Sequence, residues 1–250
     1  SNNTALGYQS LCANTTAVNN VAVGFSALST NVTGSDNTAL GHQSLRDNTG
    51  ADNTGVGYRS LFANSSGTNN VAVGHSSLCS NTTGGNNTAV GHIALCSNTT
   101  GDDNVAIGDF ALRSNTEADD NTAVGVSALN ANTTGEYNTA IGRSALTANT
   151  TADYNTAIGY QVLCDNTIGD RNVGLGSLAL CSNTEGIRNV SVGYGTLSNN
   201  TTANINTAVG YLSLNANTTA DNNTGVGAFS LYVNTTGTKN VAVGRQALAS

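Results

Sequence analysis

Apolar and polar positions recur along this chain with a fixed short period. Anchored on the glycine that ends strings such as Asn-Thr-Ala-Val-Gly at Asn121 to Gly125, the pattern returns at Gly7, Gly24, Gly41, Gly57, Gly74, Gly91 and Gly108. It continues at Gly142, Gly159, Gly176, Gly193, Gly210, Gly227 and Gly244. Every step is 17 residues except Gly41 to Gly57, which is 16. The shorter copy has lost a residue within Asn48-Thr49-Gly50-Ala51-Asp52, between the motif strings, where a turn tolerates deletion best.

Three positions are the same in all copies: Asn four before the glycine (Asn3 to Asn240), Leu four after it (Leu11 to Leu248), and Asn seven after it (Asn14 to Asn234). Gly, Asn, Thr and β-branched residues form helices poorly, and 17 residues leave no room for a helix with its connections. Short β-branched runs punctuated by Gly and Asn read as strands and corners. The pattern therefore predicts an all-β fold, a parallel β-solenoid of fifteen coils of about 17 residues, with residues 1–250 forming one repeat array. With coils about 4.8 Å apart, the rod would be on the order of 70 Å long.

Stacked coils turn recurring positions into columns. Asn3, Asn20 and Asn37 begin one asparagine file, and Asn14, Asn31 and Asn48 begin the second. Asparagine at corners is expected to adopt left-handed backbone geometry and to pair its amide with the coils above and below, forming a ladder. The Val/Ile/Leu column before the glycine and the Leu column after it are expected to fill the interior. Ala and Gly would let the walls approach closely.

Composition agrees with a core built from small side chains and stacked backbone. Charged residues make up 9 % of the chain and aromatics 5 %; there are 29 Gly and no Pro, Met or Trp. A net charge of −7 without a basic stripe argues against nucleic acid or an anionic membrane as partner. No apolar run approaches 18 residues, so no membrane span is expected in this segment. The absence of Met and the uncapped repeat ends predict a piece of a longer chain.

The string Asn-Thr-Ala-Val-Gly at Asn206 to Gly210, and Asn-Thr-Ala-Ile-Gly-Tyr-Gln-Val-Leu at Asn155 to Leu163, resemble known repeats. They are similar to the head repeats of trimeric autotransporter adhesins and to arrays in phage tail-fibre-like and bacterial surface proteins. The resemblance covers the whole chain and implies a left-handed parallel β-roll, often homotrimeric, that projects or binds. The autotransporter repeat is shorter than this one.

Cys12, Cys79, Cys96, Cys164 and Cys181 all stand five after the glycine. Cys79 with Cys96, and Cys164 with Cys181, fall in adjacent coils, and stacking at about 4.8 Å suits a disulfide. Both pairings are expected, together with the oxidising compartment they imply. Cys12 is unpaired within the chain, and reduced thiols packed in a column are the alternative. His42, His75 and His92 share the position after the glycine with Asp109; a tolerant outward face explains that column better than a metal row does. Ten of the fifteen carboxylates lie in the turn before the first asparagine, including Asp102, Asp103, Asp119 and Asp120. These four form a candidate calcium site, weighed against a solvated acidic edge. Sequons make Asn14, Asn81, Asn98, Asn132, Asn149, Asn217 and Asn234 candidates for glycosylation. The same asparagine persists at Asn48, Asn115, Asn166 and Asn183, where the sequon is broken, so the amide itself is needed.

No catalytic constellation departs from the repeat, and no cofactor is implied. The expected function is a structural or adhesive segment of an extracellular fibre at a cell or virion surface. It would associate with copies of itself as a trimer or filament, with a surface glycan or host receptor as further partner. An ice-binding solenoid and a glycosylated filament are the alternatives.

Overall fold

The structure, a computed structural model, describes residues 2–249 and is a parallel β-solenoid. It holds fifteen strands of three residues and, among the described residues, no helix. Two compact units divide the chain, Ser1–Asn121 and Thr122–Ser250. The first carries β1 (Thr4–Leu6), β2 (Val21–Val23), β3 (Thr38–Leu40), β4 (Thr54–Val56), β5 (Val71–Val73), β6 (Thr88–Val90) and β7 (Val105–Ile107). The second carries β8 (Thr122–Val124), β9 (Thr139–Ile141), β10 (Thr156–Ile158), β11 (Val173–Leu175), β12 (Val190–Val192), β13 (Thr207–Val209), β14 (Thr224–Val226) and β15 (Val241–Val243). Within each unit every strand pairs in parallel with the next in chain order, matching the same repeat position: Ala72 lies opposite Ala89, and Ala140 opposite Ala157.

The remainder of each coil is non-strand backbone, yet it continues the ladder. In the coil of Gly91, the Ile93 N–H donates to His75 O of the coil before (3.0 Å) and the Leu95 N–H to Ala111 O of the coil after (3.0 Å). Ser97 and Thr99 donate forward to Arg113 and Thr116. Backbone pairing of this extent lets so small a core suffice, because few main-chain groups are left to be desolvated unpaired.

The interior differs from the sequence expectation in one file. Strand centres such as Ala89 and Ala123 are fully buried, as are Leu28 to Leu214 in the invariant leucine file. The Val/Ile/Leu file faces outward: Leu40 is 48 % exposed and Ile107 40 %. Strand alternation puts the residues flanking the central Ala on the opposite face. Only a small group, Gly, Ala or Ser, fits between the strand and the wall bearing the residue three after the glycine. Where that opposing residue is the larger Val162, the next strand centre is Gly174, and a Cβ there would run into the Val162 side chain. Ser44 and Ser60 likewise flank Gly55, their hydroxyls 2.9 Å apart.

Left-handed backbone also lies elsewhere than expected. Neither asparagine file has positive φ; the invariant leucine does, as at Leu95 (φ 52°) and Leu112 (φ 48°). So do the residue two after the glycine, such as Ile93, and the residue before the first asparagine, such as Asp103 and Tyr154. A left-handed leucine costs roughly 1–2 kcal/mol, while full burial of its side chain contributes about 1.5–3 kcal/mol. The anchoring glycines hold φ values such as 133° at Gly125, where a Cβ would sit 2.7 Å from Gly142 O of the next coil. No other residue type fits there.

Candidate functional site

Both asparagine files are interior, with Asn20, Asn31, Asn37 and Asn48 fully buried. In the file seven after the glycine, Asn81 Nδ2 donates to Asn64 Oδ1 (2.7 Å) and to Gly84 O (2.8 Å). The coil after repeats this from Asn98 to Asn81 and Gly101, both 2.9 Å. In the other file, Asn20 Oδ1 accepts the Asn37 N–H at 2.9 Å, and Asn37 Nδ2 donates to Gly50 O at 2.9 Å. At the edge of the described chain, Asn3 Oδ1 accepts the Asn20 N–H and Asn14 Nδ2 donates to Ala17 O.

These contacts weigh against the glycosylation reading. A glycan needs an exposed Nδ2, but Asn81, Asn98, Asn132, Asn149 and Asn217 have none of their surface exposed. Asn14 and Asn234 are half-buried, with Nδ2 engaged by Ala17 O and Gly237 O. Modification there would break the ladder.

The acidic turn has a structural use too. Asp102 Oδ1 accepts the Gly85 N–H (2.6 Å) and Asp119 Oδ1 accepts the Asp102 N–H (2.7 Å). In the second unit Asp153 and Asp170 take the N–H groups of Glu136 and Asp153. Asn204 makes the same bond to Ile187, so the bond needs an acceptor oxygen and not a charge. Asp103 and Asp120 occupy left-handed corners. Asp102, Asp103, Asp119 and Asp120 do not converge as a metal donor set; among the described residues only Cys164, Asp165 and Cys181 do.

The histidines belong to a stack of rings in the first unit. Tyr8, Phe25, His42, Tyr58, His75 and His92 succeed one another with centroids 4.8–5.4 Å apart. The first five lie nearly parallel, so their faces cover one another and their edges meet solvent. His92 Nδ1 lies 2.9 Å from Asp109 Oδ1, which orients that ring. Tyr58 separates His42 from His75, and the three imidazoles do not gather around a point.

In the cysteine file, Cys79 and Cys96 are joined as a disulfide with Cα atoms 4.9 Å apart. Cys164 and Cys181 stand side by side with Sγ atoms 2.7 Å apart, closer than non-bonded sulfurs pack, and are unbonded in this structure. Hydrogen bonding to Cys181, burial and the nearby Cys181 and Asp165 charges hold the Cys164 thiol well above its ordinary range. The same hydrogen bond lowers Cys181. Cys12 is an exposed thiol, its Sγ 3.3 Å from Ser29 O.

A further feature is the outward strand face. Each strand presents two side chains to solvent, Thr or Val before the central small residue and Val, Ile or Leu after it. No charged residue occurs in either file. The sequence reading missed this surface because a Val/Ile/Leu column reads as core; the signal was present in the small residue between the two β-branched ones. Helices long and apolar enough to cross a membrane are absent among the described residues. Neither a protein-family model nor a curated protein sequence matches this chain.

Proposed function

We propose that the chain is a structural segment of an extracellular fibre, associating with copies of itself through the outward strand face. The observation that carries this reading is the pair of uncharged files, with Leu40, Val73, Ile107, Ile141 and Leu175 more than a third exposed. Apolar surface that runs from strand to strand within each unit marks an interaction site. A second copy is its natural occupant, because only a partner with the same coil spacing matches every residue of a repeating row. Regular coils then supply projection and many weak contacts in series. The likeness of the Asn-Thr-Ala-Val-Gly strings to adhesin and tail-fibre repeats points the same way.

Sedimentation velocity on the full chain tests it. A discrete trimer or a filament is expected, reverting to monomer in a Val90→Glu/Ile107→Glu variant that keeps its β-sheet circular dichroism. A wild-type chain that stays monomeric at every concentration overturns the reading.

One observation favours a second reading, ice binding. Thr122, Thr139 and Thr156 form an outward row on β8 to β10 beside Val124, Ile141 and Ile158. The Thr file after the second asparagine cannot serve, because hydroxyls such as those of Thr82 and Thr99 donate to carbonyls of the following coil. Thermal hysteresis decides, and its absence removes this alternative.

A further inference from the structure

Two cysteine pairs occupy the same file, and they differ in one neighbour. After Cys79 stands Ser80; after Cys164 stands Asp165. Asp165 Oδ1 lies 3.6 Å from Cys164 Sγ, and Cys181 Sγ lies 2.7 Å from Cys164 Sγ. One donor atom from each of the three residues falls within a span of 4.8 Å. Cys164 is buried, Cys181 half-buried and Asp165 exposed, so the cluster is walled on one side and open on the other.

This donor set, two sulfurs and a carboxylate oxygen, suits a small, borderline-soft cation. With metal–sulfur bonds of about 2.3 Å and a metal–oxygen bond of about 2.0 Å, tetrahedral coordination needs sulfur and oxygen about 3.5 Å apart, which Cys164 and Asp165 meet at 3.6 Å. The sulfurs must separate to about 3.8 Å, a motion that rotation about the Cα–Cβ bond of half-buried Cys181 supplies. Charge also balances. Two neutral thiols and one carboxylate carry −1; a divalent ion bound by two thiolates and the carboxylate, with both thiol protons released to solvent, again carries −1. The Cys79 and Cys96 pair has no such carboxylate.

We propose that Cys164, Asp165 and Cys181, in the reduced protein, bind a thiophilic divalent metal ion of the zinc class, with the fourth coordination position open to water. The site is independent of self-association, since its residues lie outside the two strand-face files.

The test uses cadmium alone as probe, titrated into the reduced full chain with Cys12→Ser, Cys79→Ser and Cys96→Ser. Serine already occupies this file at Ser29 and Ser198, so the background is compatible with the fold. One equivalent of sulfur-to-cadmium charge-transfer absorption is expected. Asp165→Ser, which installs the residue found at Ser80, should weaken binding by at least about tenfold, since losing even an outer partner costs that much. Three outcomes overturn the proposal: no charge-transfer band, a band of unchanged affinity in Asp165→Ser, or a pair that stays disulfide-bonded under reductant. Unchanged circular dichroism separates loss of the site from loss of the fold.

Discussion

Asn98 Nδ2 donates to Asn81 Oδ1 across 2.9 Å, with both side chains fully buried, and Asn98 Oδ1 accepts from Asn115 at the same distance. Asn98 is therefore a link whose two ends have different chemistry. Asn98→Ala leaves Asn81 Oδ1 and Asn115 Nδ2 without this partner, at a cost of about 1–3 kcal/mol. Asn98→Asp should be worse, about 3 kcal/mol or more, because a carboxylate cannot donate to Asn81 or Gly101 and buries a charge. Urea unfolding of both variants checks the order. An aspartate variant as stable as the alanine one would show that the direction of the ladder does not matter.

The two faces of a strand should respond oppositely to side-chain size. Ala89 is fully buried while its neighbour Val90 is partly exposed. Ala89→Val is expected to cost about 1–3 kcal/mol through overpacking. Val90→Thr, nearly the same shape but facing outward, should change monomer stability by less than about 0.5 kcal/mol. Thermal melts at low concentration, where association is minimal, separate the two. Equal losses would mean the inward file has slack.

Gly125→Ala should be among the most damaging single-methyl additions in the molecule. The backbone has φ 133°, and the new Cβ would lie 2.7 Å from both C and O of Gly142. Backbone strain of this type costs about 1–3 kcal/mol before the steric term. Hydrogen exchange should show protection lost in the coils of Gly125 and Gly142 before the rest of the second unit.

Asp119→Asn should be silent and Asp119→Ala should not. The carboxylate oxygen accepts the Asp102 N–H, as the Asn204 amide oxygen at the same repeat position accepts that of Ile187. The amide keeps the acceptor, whereas alanine removes a bond worth about 1 kcal/mol. Adding millimolar calcium should not raise the melting temperature of the wild-type chain, and a rise of several degrees would restore the acidic turn as a cation site.

Much of the fold was legible because period, strand chemistry and stacking are local properties of the repeat. Fifteen glycine anchors predict fifteen strands in parallel register, and the structure has them. Inside and outside were less legible. A column of Val, Ile and Leu and a column of Leu look equally apolar in sequence, and only the space beside Ala89 or opposite Val162 decides which one turns inward. The left-handed leucines were hidden for a related reason: intrinsic preference forbids Leu95 its φ of 52°, and the stacked backbone overrides that preference. The sequons misled because Asn81 and Asn98 bear a motif whose chemistry requires exposure that the ladder denies.

The shortened coil shows where the chain has freedom. Asn48 Nδ2 reaches Gly50 O two residues on, where Asn64 reaches Gly67 O three residues on, yet β3 and β4 keep their register, Thr38 opposite Thr54. The omitted residue is the exposed one that Thr83 and Thr100 supply in other coils. Loss of chain at that point keeps Asn48 buried and the strand register unchanged, while Asn48 Nδ2 turns to Gly50 O and Asn53 Nδ2 adds a bond to Asn48 Oδ1. The fold thus has a built-in splice point in every coil, and a peptide inserted between Thr82 and Gly84 would be displayed at the repeat spacing without passing through the core.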